Sequence, residues 1–177
     1  SLSNNDGGNT GNTIFGHTSW QQSANVGADY NTIFGQEAMG SGNIGAAERN
    51  TGIGFAVMRG ITTGDSNVAV GADALYSITT ANSNIAIGRS TMASTTTGGA
   101  NTAVGHYALN GDTDGDGADN TAIGHKALHD AISPSKNVAI GDSAMALNTT
   151  GGSNVAVGTS ALNANTTASN NTALGYG

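Results

Sequence analysis

The chain is 177 residues long, with 28 Gly, one Pro, no Cys, 10% charged and 5% aromatic residues, and a formal net charge of −7. That composition argues against an ordinary globular core and leaves no disulfide framework or thiolate metal site, although the absence of Cys does not decide the compartment. The basic residues, Arg49, Arg59, Arg89, Lys126 and Lys136, are scattered, which argues against a nucleic-acid or anionic-membrane surface. No stretch approaches the roughly 20 apolar residues of a membrane span and no basic-plus-apolar leader opens the chain. The first residue is Ser1 rather than Met, so the expectation is a processed form or a piece of something longer.

Ten copies of one motif then follow in order: Asn, Thr/Val/Ile, usually Ala, a large apolar residue, Gly, and four residues later Leu, Met or Trp. They start at Asn12, Asn31, Asn50, Asn67, Asn84, Asn101, Asn120, Asn137, Asn154 and Asn171, with successive spacings of 19, 19, 17, 17, 17, 19, 17, 17 and 17. A period near 17 with period-2 apolar alternation predicts a stacked solenoid in which almost every residue belongs to the repeat. The expected fold is all-β, a single parallel β-roll over residues 1–177 with about ten coils, rising ~4.8 Å per coil and so about 48 Å long.

Each motif predicts a short strand, as in Asn67-Val68-Ala69-Val70, with Val68 and Val70 on one face and Ala69 on the other. The large column Phe15, Phe34, Ile53, Val70, Ile87, Val104, Ile123, Ile140, Val157 and Leu174 is unbroken, and it is expected to fill the roll. The opposite, Ala-rich column, including Ala103 and Ala122, is then expected to pack against other chains, because strands apolar on both faces belong to sheets covered on both sides. An invariant Gly column from Gly16 to Gly175 predicts corners, and the Asn column predicts a structural ladder of amides stacked coil on coil. The Thr/Gly/Asn/Ser stretches between motifs are polar returns, and Pro134 falls inside one.

In the last of the three longer returns, Asp112-Thr113-Asp114-Gly115-Asp116-Gly117 has the alternate-carboxylate spacing of a calcium loop. Asp112, Asp114 and Asp116, with Asp119 nearby, are therefore the candidate ligands for calcium or another hard cation, with a solvated acidic turn as the alternative, since the twelfth position is Ile123 rather than Glu. His17, His106 and His125 each follow a repeat Gly; two imidazoles on neighbouring coils without a nearby carboxylate make a poor zinc site, and water-exposed corner histidines are the expectation. Ser, His and Asp are all present, but no nucleophile elbow or other catalytic motif joins them, and no enzymatic activity is expected. Thr13, Thr32, Thr51, Thr102, Thr121 and Thr172 form a column of the kind that orders water in ice-binding solenoids; Val68, Ile85, Val138 and Val155 interrupt it, and it is expected to face inward with the large column.

The motif Asn-Thr/Val-Ala-Ile/Val-Gly-x-x-Ala-Leu resembles the head repeats of trimeric autotransporter adhesins, and still more the related repeats of some phage tail fibres. In the former the chain winds as a left-handed parallel β-roll and three rolls pack together. The resemblance covers essentially the whole chain and is closest from Asn67 to Gly175. It implies an extracellular, cell-surface or virion-surface rod, adhesive or structural, without enzymatic activity or membrane insertion. Its expected partners are other copies of itself, as a trimer or filament, and a cell-surface or glycan receptor. The period here is nearer 17 than the shorter adhesin period, and neither a coiled-coil stalk nor a membrane anchor is present in the sequence. Written end to end, Asn171-Thr172-Ala173-Leu174-Gly175-Tyr176-Gly177 and Ser1-Leu2 restore a complete motif, which predicts head-to-tail completion of a split coil into a filament.

Overall fold

In the computed structural model of the chain, the described residues are 11–20, 27–40, 44–111 and 117–177. Ten three-residue strands run β1 (Thr13–Phe15), β2 (Thr32–Phe34), β3 (Thr51–Ile53), β4 (Val68–Val70), β5 (Ile85–Ile87), β6 (Thr102–Val104), β7 (Thr121–Ile123), β8 (Val138–Ile140), β9 (Val155–Val157) and β10 (Thr172–Leu174). They form one sheet in strict chain order, every neighbouring pair parallel. Equivalent motif positions face each other throughout, for example Val68 opposite Ile85 and Ala69 opposite Ala86. The all-β parallel solenoid expected from the repeat is the fold, with strands one residue shorter than the four-residue segment expected, because the Asn belongs to the corner.

The ladder of asparagines explains that corner. The Asn84 backbone N–H donates to Asn67 Oδ1 at 3.0 Å and its Nδ2 donates to the same oxygen at 3.2 Å. The second Nδ2 hydrogen goes to the Gly98 carbonyl at 3.0 Å, and the Asn84 carbonyl accepts from the Val68 N–H at 2.8 Å. Every polar group of the residue is therefore used while Asn84 is fully buried, which is what a low-dielectric interior demands. The backbone N–H to Oδ1 bond repeats at every step from Asn12 to Asn171, through links such as Asn50 to Asn31, Asn120 to Asn101 and Asn171 to Asn154. The length of the return does not alter it, since links across 19 and 17 residues have the same partners.

The Gly column closes the strand. Gly71 lies at φ 129°, and a β-carbon there would come within 2.5 Å of the Gly88 carbonyl oxygen in the next coil. Positive φ and close backbone approach therefore both require glycine at this corner. Beyond it the backbone does something the sequence does not advertise. Three non-glycine residues per coil adopt left-handed conformations, in the fourth coil Asp73 (φ 57°), Leu75 (φ 51°) and Ser83 (φ 61°). The two left-handed residues after the Gly swing the chain so that Leu75, like Met39, Met58, Met92, Leu128 and Met145, is fully buried.

The core itself reverses one expectation. Ala69, Ala86, Ala103, Ala122, Ala139 and Ala156 are completely buried, whereas the large column expected to fill the roll lies outside: Phe15 is 61% exposed, Ile53 44% and Ile87 40%. The reason is thickness. The Leu/Met/Trp anchors on the opposite arm reach across the coil, and from the fourth coil on the buried space left behind the strand admits little more than a methyl group, together with Ala74, Ala108, Ala127, Ala144 and Ala161 three residues after the corner Gly. Because side chains alternate strictly along a strand, placing Ala inside commits both of its neighbours to the outer face.

Candidate interaction surface

The outer face of the sheet carries two parallel columns. Thr13, Thr32, Thr51, Val68, Ile85, Thr102, Thr121, Val138, Val155 and Thr172 form one; Phe15, Phe34, Ile53, Val70, Ile87, Val104, Ile123, Ile140, Val157 and Leu174 form the other. Every one of these residues is at least partly exposed, and β1 to β9 each show a covered centre between two open flanks, while the centre of the terminal β10, Ala173, is half-buried. At ~4.8 Å per strand the two columns make an apolar band on the order of 45 Å long, a footprint of several hundred Å². Soluble monomers rarely expose contiguous apolar area of that size without an interaction to use it. Phe15 and Phe34 stack along it with ring centroids 6.1 Å apart.

The lateral contact expected for the Ala column is therefore corrected: Ala103 and Ala122 face the core, and the apolar residues left open on the sheet are the large column with its Thr/Val/Ile neighbours. The Thr column is corrected with it, since it points outward rather than inward. A signal for this orientation was present in the sequence. The middle column is almost uniformly Ala, as a narrow interior requires, whereas the outer two mix Thr with Val, Ile and Phe, a mixture that only a wetted or partner-covered face tolerates.

A second cluster sits at the corner after the Gly column. His106 stacks on Tyr107 at 4.0 Å and lies 5.7 Å from the His125 ring, while Tyr107 meets His129 edge-on at 5.9 Å. His125 Nδ1 lies 2.8 Å from Asp142 Oδ1, and His129 Nδ1 lies 2.6 Å from Asp130 Oδ1. The carboxylate missing from the sequence reading of His106 and His125 thus comes from the following coil, as Asp142. The bond to His125 holds Asp142 below the usual carboxylate range, and burial, followed by the Arg89, His125 and Lys126 charges, pushes His106 below the usual imidazole range. His106 Nε2 is buried without a hydrogen-bond partner among the described residues. Even so, no group of three or more His, Asp or Glu side chains among the described residues is placed to hold a metal ion.

Of the calcium ligands expected from the sequence, Asp112, Asp114 and Asp116 lie outside the described residues, as do Ser1 and Leu2 of the expected head-to-tail joint. Asp119 is exposed, in a left-handed turn just before the ladder residue Asn120. No helix among the described residues is long and apolar enough to cross a membrane. No protein-family model, curated protein or solved structure matches the chain.

Proposed function

We propose that this chain is an extracellular structural or adhesive fibre protein whose exposed sheet face packs against the same face of other copies of itself. The observation that carries the reading is the outward pair of columns, an apolar band that follows the full length of the described sheet on a molecule with little charge elsewhere. The resemblance of the motif to trimeric adhesin heads and phage tail-fibre repeats supports it, because those repeats form rods that associate side by side. A rod of this kind carries receptor-binding surfaces rather than a catalytic centre. The Asp112 to Asp119 return belongs to the same proposal as a calcium site that stiffens one loop; calorimetric titration of chelator-stripped protein that gives no heat at millimolar calcium would remove it.

The test of association is mass in solution. Sedimentation equilibrium and negative-stain microscopy should show oligomeric rods or fibres, and the double substitution Ile87→Lys and Ile123→Lys should release folded monomers. A monomer at all concentrations for the unsubstituted protein would reject the proposal. One observation favours a second reading in that event: the Thr column faces water on a regular sheet, the arrangement by which ice-binding solenoids order water. Thermal hysteresis from a monomeric protein would select it, and Val68, Ile85, Val138 and Val155, which interrupt the column, argue for self-association instead.

A further inference from the structure

Away from the sheet, on the corner and return arm of the second to fifth coils, the surface opens into a groove of about 430 Å³ lined by Glu37, Phe55, Arg59, Asp73, Tyr76 and Ser90 among others. The chain has three Phe, one Trp and four Tyr, and two of these few aromatic residues meet here. Phe55 is 47% exposed, although the corner column it belongs to offers nothing larger than Gln36 and Ala72 beside it. The groove exists because Ala56, Ala93, Ser77, Ser90 and Ser94 occupy positions at which other coils place Tyr107, Lys126, His129 or Leu147.

Its walls are set in advance. Arg59 Nη1 donates to the Tyr76 hydroxyl at 2.6 Å, the guanidinium carbon lies 5.7 Å from the Tyr76 ring centroid, and Arg59 Nε lies 3.7 Å from Glu37 Oε2. Tyr76 and Glu37 together hold Arg59 and keep its pKa above the usual value, the Tyr76 contact contributing most. With the Arg59 and Glu37 charges matched, Asp73 gives the groove one net negative charge. The main chain is already committed: Asp73 N–H bonds the Phe55 carbonyl, Ser77 N–H the Ala93 carbonyl and Ser90 N–H the Ala72 carbonyl. A peptide strand therefore finds no free backbone edge to extend, and recognition must come from side chains.

We propose that this groove binds an uncharged oligosaccharide. A pyranose offers an apolar C–H face and a rim of hydroxyls that both donate and accept. Phe55 and Tyr76 supply aromatic surface for the first, and Asp73, Glu37, Arg59 and the serine hydroxyls supply matched donors and acceptors for the second. The groove volume lies in the range of small-ligand sites, and the groove is open to solvent. The net negative charge selects against sialylated, sulfated and phosphorylated sugars. The inference goes beyond the proposed self-association and does not depend on it, since the groove lies off the outer sheet columns.

The experiment is a two-dimensional NMR titration of the isotope-labelled protein with neutral gluco-, manno-, galacto- and chito-oligosaccharides and with their sialylated or sulfated counterparts. Shifts confined to residues 55–59, 73–77 and 90–94 are expected from at least one neutral member. Tyr76→Ala and Asp73→Asn should each weaken that ligand by about tenfold, with melting temperature and oligomer mass unchanged. The proposal is overturned if no neutral member shifts the groove, if an anionic sugar binds there more tightly, or if both variants bind like the parent.

Discussion

Ile33 and Gly52 are complementary neighbours in adjacent coils: the Ile33 Cδ1 methyl lies 3.2 Å from where a Gly52 β-carbon would stand, with Val57 Cγ1 at the same distance on another side. From Ala69 onward the inner column is Ala upon Ala, whereas it opens with Ile14, Ile33 and Gly52, so the step from the second to the third coil is filled by one large and one absent side chain. Gly52→Ala should therefore destabilise by about 1 kcal/mol through overpacking, and Ile33→Ala by about 3 kcal/mol through the cavity left behind. The double variant should lose less than the sum, because Ala over Ala is the packing the later coils already use. Additive losses in chemical denaturation would show that the two sites do not share the space.

Reversal of the strand faces gives a sharper pair of outcomes. Ala103→Glu places an unpaired carboxylate in a fully buried column and should unfold the coils around it, a loss of several kcal/mol. Ile123→Glu, one residue beyond the equivalent Ala122, should leave circular dichroism and melting of the monomer nearly unchanged and reduce association instead. If Ala103→Glu dissociated a folded chain, the orientation of the strands would be the opposite of that described.

Within the ladder, Asn84→Ala removes the acceptor of the Asn101 N–H, at 3.0 Å, and frees both the Asn67 oxygen and the Gly98 carbonyl from their Nδ2 donor. Leaving buried polar groups unmatched costs about 1–3 kcal/mol each, so a loss of about 3 kcal/mol is expected. Amide hydrogen exchange should accelerate at Asn101 ahead of residues two coils away. Uniform acceleration along the chain would mean that the ladder acts as one cooperative unit.

Left-handed, non-glycine residues offer a route to a more stable protein. Ser66, Ser83 and Ser153 are exposed, sit immediately before a ladder Asn and have φ of 59°, 61° and 57°. Glycine removes the strain of that conformation, about 1 kcal/mol per residue, while giving back part of it as unfolded-chain entropy. The triple Gly substitution should raise the melting temperature by a few degrees; a lowered value would show that the serine side chains contribute more than their backbone strain costs.

His106 makes stability pH-dependent in a definite direction. Its folded-state pKa lies below the unfolded value of 6.5, because burial and the Arg89, His125 and Lys126 charges disfavour the imidazolium. The unfolded chain therefore takes up the proton first, so stability is full above pH 6.5 and declines as pH falls from there through the folded-state pKa. Asp142, also depressed, adds a second loss only below its ordinary 3.8. His106→Asn should remove the first decline and leave the second, a difference visible in melting temperatures measured across the acid range.

Much of this architecture was legible because it repeats. The Asn, Gly and Leu/Met columns each announce one fixed backbone role, and their spacing alone sets strand order and register. Which strand face turns inward was not legible from hydrophobicity, since Val70 is more apolar than Ala69 and yet lies outside; the deciding quantity is the thickness of the coil, which depends on where Leu75 and its equivalents land. That in turn depends on left-handed residues at Asp73 and Leu75; Asp visits that region readily, but Leu gives no hint of it. The groove around Tyr76 and Arg59 was hidden for another reason: its residues come from different coils and share no motif, so only stacking brings them together.

Among the described residues, the hydrogen bonds that join coils run between adjacent ones, the Thr79 hydroxyl to the Thr96 carbonyl being one case and Asn84 to Asn67 another. No residue consults the total number of coils. Excising one whole period, residues 84–100, would therefore bring Ser83 to Asn101 with the contacts of both intact, and shorten the rod by ~4.8 Å. Reach is thus an adjustable dimension of this molecule, tuned in uniform increments by duplication or loss, and independent of whatever surface chemistry any one segment carries.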